Sequence, residues 1–117
     1  MTALGDARSA VAAALAQVGV PVHPHPPQTL NAPCVVIVPG SPWIQPRGTV
    51  TLDLVAYANP AGGNTPAVTR LEDLIEAIRD GLWNAGLAPG DTDQPRSDND
   101  AGVLYCTTPV TLRTTCH

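Results

Sequence analysis

The clearest pattern in the chain is a run of apolar residues at the three- and four-residue spacing of an amphipathic helix. Thr65 and Pro66 stand before it as an N-cap and a first helical residue. Gly86 follows it as a C-terminal stop. The pattern predicts a helix about 30 Å long. The stripe on its apolar face consists of Val68, Leu71, Ile75, Ile78 and Leu82.

A second helix is predicted near the N-terminus, ending at Gly19. The face opposite its apolar stripe is mostly alanine, with Arg8, Ser9 and Gln17 as the plainly polar positions. A helix that is apolar nearly all round is usually covered on two sides, which favours packing against another subunit. The alternative is a poorly soluble surface face. The stripe itself consists of Leu4, Ala7, Val11, Ala14, Leu15 and Val18.

Strands are predicted between and after the two helices. The segment 49–57 alternates cleanly, with Val50, Leu52, Leu54 and Ala56 on one side. Before it, residues 20–25 form a short edge-strand candidate, and 34–38 form a β-branched run that Pro39 and Gly40 end. The segment 40–48 then forms an extended hairpin tip. The last strand runs from Val103 to about Arg113, and Pro109 places it at an edge or a bulge.

These elements predict one α+β domain over residues 1–117. We expect a mixed or antiparallel sheet of about four to five strands with two helices packed on it, in the order α-β-β-β-α-β(β). The chain shows no internal repeat and no linker long enough to separate two domains.

The composition agrees with a folded chain, since 44% of residues are hydrophobic and only 14% are charged. Phe is absent, so the core must consist mainly of Val, Leu, Ile and Ala. Such a core is thin, and self-association would bury more apolar surface. The three cysteines are widely spaced, which argues against a disulfide framework and favours a reducing compartment. Cys34 and Cys106 fall inside strand patterns and are interpreted as small core residues.

The charge balance excludes several kinds of partner. All six basic residues are Arg, against ten carboxylates, and the net charge is −4. Specific nucleic-acid binding and adhesion to anionic membranes both need a basic surface, so neither is expected. No signal peptide is visible at the N-terminus, and the longest wholly apolar run, 35–39, is too short to span a bilayer.

Two groups of side chains resemble metal sites but lack ligands. His23 and His25 lie in a proline-rich segment, and Cys116 and His117 lie at the frayed C-terminus, so neither pair provides rigid zinc ligands. Exposed histidines are the simpler interpretation. The acidic stretch of residues 91–100 departs from the calcium-binding loop pattern at Pro95 and has no closing glutamate. A solvated loop is the favoured interpretation, and no metal or cofactor is expected.

Nucleophilic and phosphate-binding motifs are also incomplete. Gly40 and Ser41 lack the second glycine of a nucleophile elbow, and the glycine turn at residues 62–63 has no lysine after it. A cap and a turn explain that second motif in full. The chain is therefore predicted to bind other proteins rather than to catalyse a reaction.

Five residues are candidates for a protein interface. Trp43 and Ile44 place large apolar groups at the hairpin tip, next to Arg47. Exposed apolar groups at a hairpin tip commonly mark contact sites. The alternative is that Trp43 folds back onto the domain as part of the core. Arg8 lies on the outer face of the first helix. Trp83, one step from the apolar stripe of the long helix, is interpreted as a core residue or a subunit seam.

The layout resembles the tail terminator proteins of siphophages, particularly those that infect actinobacteria, and is similar in plan to the lambda terminator. The resemblance covers nearly the whole chain and depends on element order, length and composition. It is carried by an Ala/Leu-rich first helix and five segments, namely G-V-P-V (19–22), C-V-V-I-V-P (34–39), V-T-L-D-L-V-A-Y (50–57), L-E-D-L-I-E-A-I (71–78) and Y-C-T-T-P-V-T-L-R (105–113).

The resemblance implies a hexameric ring that caps the tail tube, stops its polymerisation and offers the surface that joins the head. Its partners would be the tail tube protein and the head–tail connector or stopper protein, in the virion neck and, during assembly, in the host cytoplasm. DNA would pass through the ring without specific binding. The alternatives are another neck component, such as a head-completion or stopper protein, and a non-viral small ligand-binding or metal-binding α/β domain.

Overall fold

The computed structural model describes most of the chain, and in some segments the backbone alone. The described residues are 3–25, 28, 33–45, 49–59, 64–87, 89–98 and 103–113, with the backbone alone for 3–6, 41–45, 64–65, 97–98 and 113.

Two helices and five strands form the described part, which confirms the predicted α+β class and element order. The last predicted strand is confirmed with its bounds, and a short strand precedes it as its hairpin partner. In chain order the elements are α1 (Ala3–Ala14), β1 (Val22–His23), β2 (Cys34–Gln45), β3 (Thr49–Ala58), α2 (Asn64–Asn84), β4 (Arg96–Asp98) and β5 (Val103–Arg113).

The strands form one mixed sheet in the order β1-β2-β3-β5-β4. β1 pairs in parallel with β2, and every other pair is antiparallel. The long strand β3 lies at the centre, where Tyr57 is opposite Tyr105 of β5 and Val50 is opposite Leu112. Both outermost strands are short, as is common where natural sheets limit edge-to-edge pairing.

Both helices pack on the same face of the sheet, and the strand alternation decides which side chains they cover. The side chains of β3 alternate as predicted, since Val50, Leu52, Leu54 and Ala56 are buried. The side of β5 that carries Leu104 joins the same core. The helices contribute Ala7, Val11, Ala67, Leu71, Leu74, Ile78 and Leu82, and Leu15 joins them from just after α1.

The C-terminal end of α2 has the hydrogen bonds that its sequence predicts. Gly86 has a positive φ of 80°, a conformation that glycine adopts without steric cost. Its N–H donates to the Trp83 carbonyl at 3.0 Å, and the Leu87 N–H donates to the Leu82 carbonyl at 2.8 Å. These two bonds satisfy carbonyls of the last turn, so the backbone at Trp83 is held firmly.

The first helix is shorter than predicted, because α1 ends at Ala14 rather than near Gly19. The chain after it forms bonds of the tighter i to i+3 kind, from Ala16 to Ala13 and from Val18 to Leu15 at 3.2 Å each. Leu15 is still fully buried, so the apolar spacing correctly identified it as a core residue although the helix does not extend to it.

The prediction that Pro39 ends the second strand is wrong, since β2 continues to Gln45 through an irregularity between Pro39 and Ile44. The Val35 N–H donates to the Pro21 carbonyl on the β1 side. Because alternate residues of a strand point to the same side, the Pro39 nitrogen also points to that side, beyond the end of β1. The N–H that Pro39 lacks would have had no strand partner there, so no hydrogen bond between strands is lost and β2 continues.

Candidate interaction surfaces

On the face of the sheet opposite the helices, Cys34, Val36 and Thr51 are buried, whereas six neighbouring side chains are partly exposed. We call these six the open face. Its members come from the three long strands and occupy adjacent cross-strand positions. Apart from one aspartate they are apolar, aromatic or threonine side chains. A sheet face of this composition is suited to packing against another surface. The open face comprises Val38, Asp53, Val55, Tyr57, Tyr105 and Thr107.

Two tyrosines form the aromatic centre of the open face. The rings of Tyr57 and Tyr105 lie with their centroids 6.0 Å apart and their planes at 39°. This separation falls within the range of favourable aromatic pairs. Tyrosine combines a large apolar surface with a hydroxyl group, so the pair can contact both apolar and polar groups of a partner.

Asp53 is the carboxylate of the open face. Its cross-strand neighbours are Val38 and Pro109, whose side chains carry no hydrogen-bond donor. Burial raises the pKa of Asp53 above its ordinary value, and the negative charge of Asp93 raises it further. The charged form of Asp53 is therefore less favourable in the folded chain than in water.

We expect Asp53→Asn to raise the melting temperature at pH 7. A carboxyl group with a raised folded-state pKa favours folding when protonated, so its destabilising effect develops as the pH rises from the unfolded pKa through the folded pKa. Asparagine stays neutral at every pH, so the variant does not lose stability as the pH rises through this range. Melting curves between pH 3 and 8 measure the difference, with Asp80→Asn on the exposed side of α2 as the charge control. A variant less stable than the parent at neutral pH would contradict the expectation.

Arg8 closes one edge of the sheet. Its Nη1 donates to the Ile37 carbonyl at 3.0 Å and to the Pro24 carbonyl. The Ile37 carbonyl lies just past the end of β1, where no further β1 residue pairs with β2. The Arg8 guanidinium donates the hydrogen bond that a longer β1 would have donated to this carbonyl. Arg8 thus has a role inside its own chain, and its predicted contact with another subunit stays a prediction.

The other edge is covered by the polar stretch that the sequence suggested was a solvated loop. Residues 89–93 run beside β5 instead. The Gly90 N–H donates to the Pro109 carbonyl at 2.7 Å, and the Asp93 N–H donates to the Thr107 carbonyl at 3.0 Å. Pro109 lies beyond the end of β4, and its carbonyl faces residues 89–93 rather than a strand. Its nitrogen faces the same side, so the missing N–H interrupts no strand pairing there.

A chain of polar groups ties the same stretch to the long helix. Arg79 donates to the Gly90 carbonyl at 2.6 Å and to the Thr92 hydroxyl at 3.1 Å. The Thr92 and Thr108 hydroxyl oxygens lie 2.7 Å apart. Thr108 is fully buried on the core side of β5, so this chain satisfies a hydroxyl group that would otherwise be costly to bury.

An apolar groove of about 230 Å³ lies between the first half of α2 and the end of β3. Arg70 and Asp73, both exposed residues, line it as well. Arg70 is held in place because its Nη2 donates to the Asn59 carbonyl at 2.8 Å. The apolar part of the lining consists of Val20, Pro33, Tyr57, Ala58 and Leu74.

Trp83 does not belong to the core, so the core interpretation of this residue is wrong. Its side chain is 61% exposed. Of the large hydrophobic side chains that the structure describes, this is the exposed one. The subunit-seam interpretation stays a prediction. The backbone of Trp43 and Ile44 lies in β2, but their side chains and all of Arg47 lie outside the described part.

Cys34 and Cys106 are free thiols and both are buried, which confirms their interpretation as core residues. Burial raises the pKa of Cys34. Burial and the negative charge of Asp93 raise the pKa of Cys106 to about 11. Both thiols therefore stay protonated near neutral pH, which makes them poor nucleophiles and poor metal ligands. Cys116 lies outside the described residues.

The candidate metal ligands do not come together where the structure describes them. His23 is half-buried in β1, and His25, Asp91 and Asp93 are exposed. Over the described residues, no three His, Cys, Asp or Glu side chains are grouped closely enough to hold a metal ion. The Asp98 side chain and all of Asp100 and His117 lie outside that part. Neither described helix is long and apolar enough to cross a membrane.

Comparison with known proteins gives no family for this chain. No protein-family model matches it, and no curated protein is significantly similar to it in sequence.

Proposed function

We propose that this chain is a structural protein of a long-tailed phage virion, a tail terminator that forms a ring on the end of the tail tube. In this role it stops polymerisation of the tube and presents the surface to which the head is joined. In this proposal the protein acts by binding copies of itself and neighbouring virion proteins rather than by catalysing a reaction. The element order α-β-β-β-α-β(β), on which the resemblance to terminators depends, is the order of the folded chain.

The observation that carries the proposal is that apolar side chains are exposed to solvent on two sides of the sheet. The helices cover one face, while Val55, Tyr57 and Tyr105 stay partly exposed on the other. On the helical side, Trp83 is exposed at the end of α2. A subunit with two different adhesive surfaces can contact one neighbour with each, which is the requirement for a closed ring.

The charge of the chain supports passage of DNA through such a ring. The net charge is −4, and DNA is densely negative, so a lumen formed by this protein would not retain the duplex by phosphate contacts. The outer side of α2 contributes to this charge through Glu72, Asp73, Glu76 and Asp80, which are all exposed.

Native mass spectrometry at several protein concentrations tests the proposal. We expect a species with six times the mass of the 12.1 kDa chain, in growing proportion as the concentration rises. Negative-stain electron microscopy of the same sample should show rings with a central channel. A monomer or a closed twofold dimer at every concentration would contradict the proposal, because neither leaves surfaces that can close a ring.

A further inference from the structure

Trp83 and the apolar groove have properties that fit each other. The indole lies in the last turn of α2, where the hydrogen bonds that end the helix fix the backbone. Its 61% exposure leaves a large apolar group in water. Tryptophan is among the side chains that most often dominate a protein interface.

The groove has the size of an indole. Its volume is about 230 Å³, whereas a cavity of about 150 Å³ in an apolar core is enough to bind benzene. An indole is a benzene ring with one fused five-membered ring, so it needs more room than benzene but not much more. The floor that Ala58 and Leu74 form is buried and apolar.

The polar groups of the groove also suit an indole. The Asp73 carboxylate can accept a hydrogen bond from the indole Nε1–H, the one polar group of the tryptophan side chain. The Arg70 guanidinium, held by the Asn59 carbonyl, can lie against the aromatic ring, and tryptophan is the best aromatic partner for a cation. Apolar surface, an acceptor and a guanidinium together match this side chain.

Trp83 cannot occupy the groove of its own chain. Asp73 and Trp83 are ten residues apart on the same rigid helix, a separation of about 15 Å along its axis. The indole would therefore have to come from another copy. Contact between two different surfaces of identical chains is head-to-tail, and its repetition produces rings or filaments rather than twofold dimers.

We propose that Trp83 of one copy inserts into the groove between α2 and the end of β3 of the next copy, and that this contact joins the subunits. The inference rests on the proposed ring and assigns its subunit contact to particular residues. Around the ring, every copy gives one tryptophan to a neighbour and receives one from the other neighbour.

Two substitutions remove the two halves of the contact. Trp83→Ala removes the inserted side chain, and Asp73→Arg removes the acceptor and places a bulky second cation at the groove. Both positions are exposed, so both variants should melt close to the parent. Each alone is expected to weaken self-association at least about 30-fold, the loss typical of a residue that dominates an interface. Asn84→Ala and Glu72→Arg are the matched controls and should assemble like the parent.

Mixing the two variants gives the decisive measurement. A Trp83→Ala copy retains its groove and an Asp73→Arg copy retains its tryptophan, so one pair of copies can form one intact tryptophan–groove contact. Native mass spectrometry should show a 1:1 heterodimer in the mixture, whereas each variant by itself should stay monomeric.

The possible outcomes separate this inference from the proposed ring. Rings formed by Trp83→Ala as readily as by the parent would overturn the inference and leave the ring proposal intact. Variants that lose assembly but do not pair on mixing would overturn the head-to-tail contact. A parent chain that is monomeric at every concentration would overturn both proposals.

Discussion

Ile78→Ala is expected to lower the free energy of unfolding by about 3–4 kcal/mol, because it removes three carbon atoms from the centre of the core. The Ile78 side chain is fully buried on the face of α2 that packs against the sheet. Domains of this size are stable by only about 5–15 kcal/mol, so the loss is a large share of the total. Urea unfolding followed by circular dichroism measures it, and the melting temperature should fall by on the order of 10 °C.

Ile75→Ala is the matched control for this prediction. It removes the same atoms from the same helix, but Ile75 is only partly buried at the margin of the core. We expect a clearly smaller loss, because Ile75 keeps part of its surface in water in the folded chain and its truncation leaves no closed cavity. Equal losses at the two positions would mean that α2 faces the sheet differently from the structure.

The comparison of these isoleucines shows what periodicity can and cannot predict. The apolar spacing correctly identified α2, since its stripe and its terminal residues are local features. It placed Val68 and Ile75 in the stripe, however, and both are only partly buried. Ala67 and Leu74 are buried instead. The width of a stripe follows from the sequence, but the centre of the contact depends on how the helix lies on the sheet.

The interaction surfaces were less predictable than the fold, for a related reason. The groove is assembled from four separate segments, around Val20, Pro33, Ala58 and Leu74. No local pattern marks residues that meet only after folding. Trp83 could be identified as a large aromatic beside a stripe, but its exposure depends on the direction in which the helix end projects. The edge closed by Arg8 depends equally on long-range contacts, to Pro24 and Ile37.

The irregular part of β2 was predicted wrongly because its determinants lie in another strand. Pro39 and Gly40 together are a strong local turn signal, and the segment after them contains further prolines. The structure continues the strand because β3 offers pairing partners as far as Thr49, opposite Gln45. Between Pro39 and Ile44, β2 has extra residues that β3 does not match, which is the arrangement of a bulge.

Gly40→Ala tests this arrangement and should lower the free energy of unfolding by about 2–3 kcal/mol, the usual cost of forcing extra atoms into a close-packed site. A Cβ atom at position 40 would lie 2.6 Å from the Thr51 Cγ2 and 2.9 Å from the Thr51 carbonyl oxygen. The second contact is with the backbone, so rotation of a side chain cannot relieve it. The loss can be measured by urea unfolding of the purified variant.

The Gly40→Ala/Thr51→Ser double variant separates the two contacts. Serine lacks the Cγ2 atom and keeps the hydroxyl group that lies 3.4 Å from the Thr111 hydroxyl. We therefore expect the double variant to be more stable than the sum of the two single changes implies, while still less stable than Thr51→Ser alone, because the contact with the carbonyl oxygen persists. Additive losses would show that the Cγ2 contact contributes nothing. A neutral Gly40→Ala would show that β2 and β3 do not approach each other closely here, and the hairpin beyond Pro39 would then have a different register.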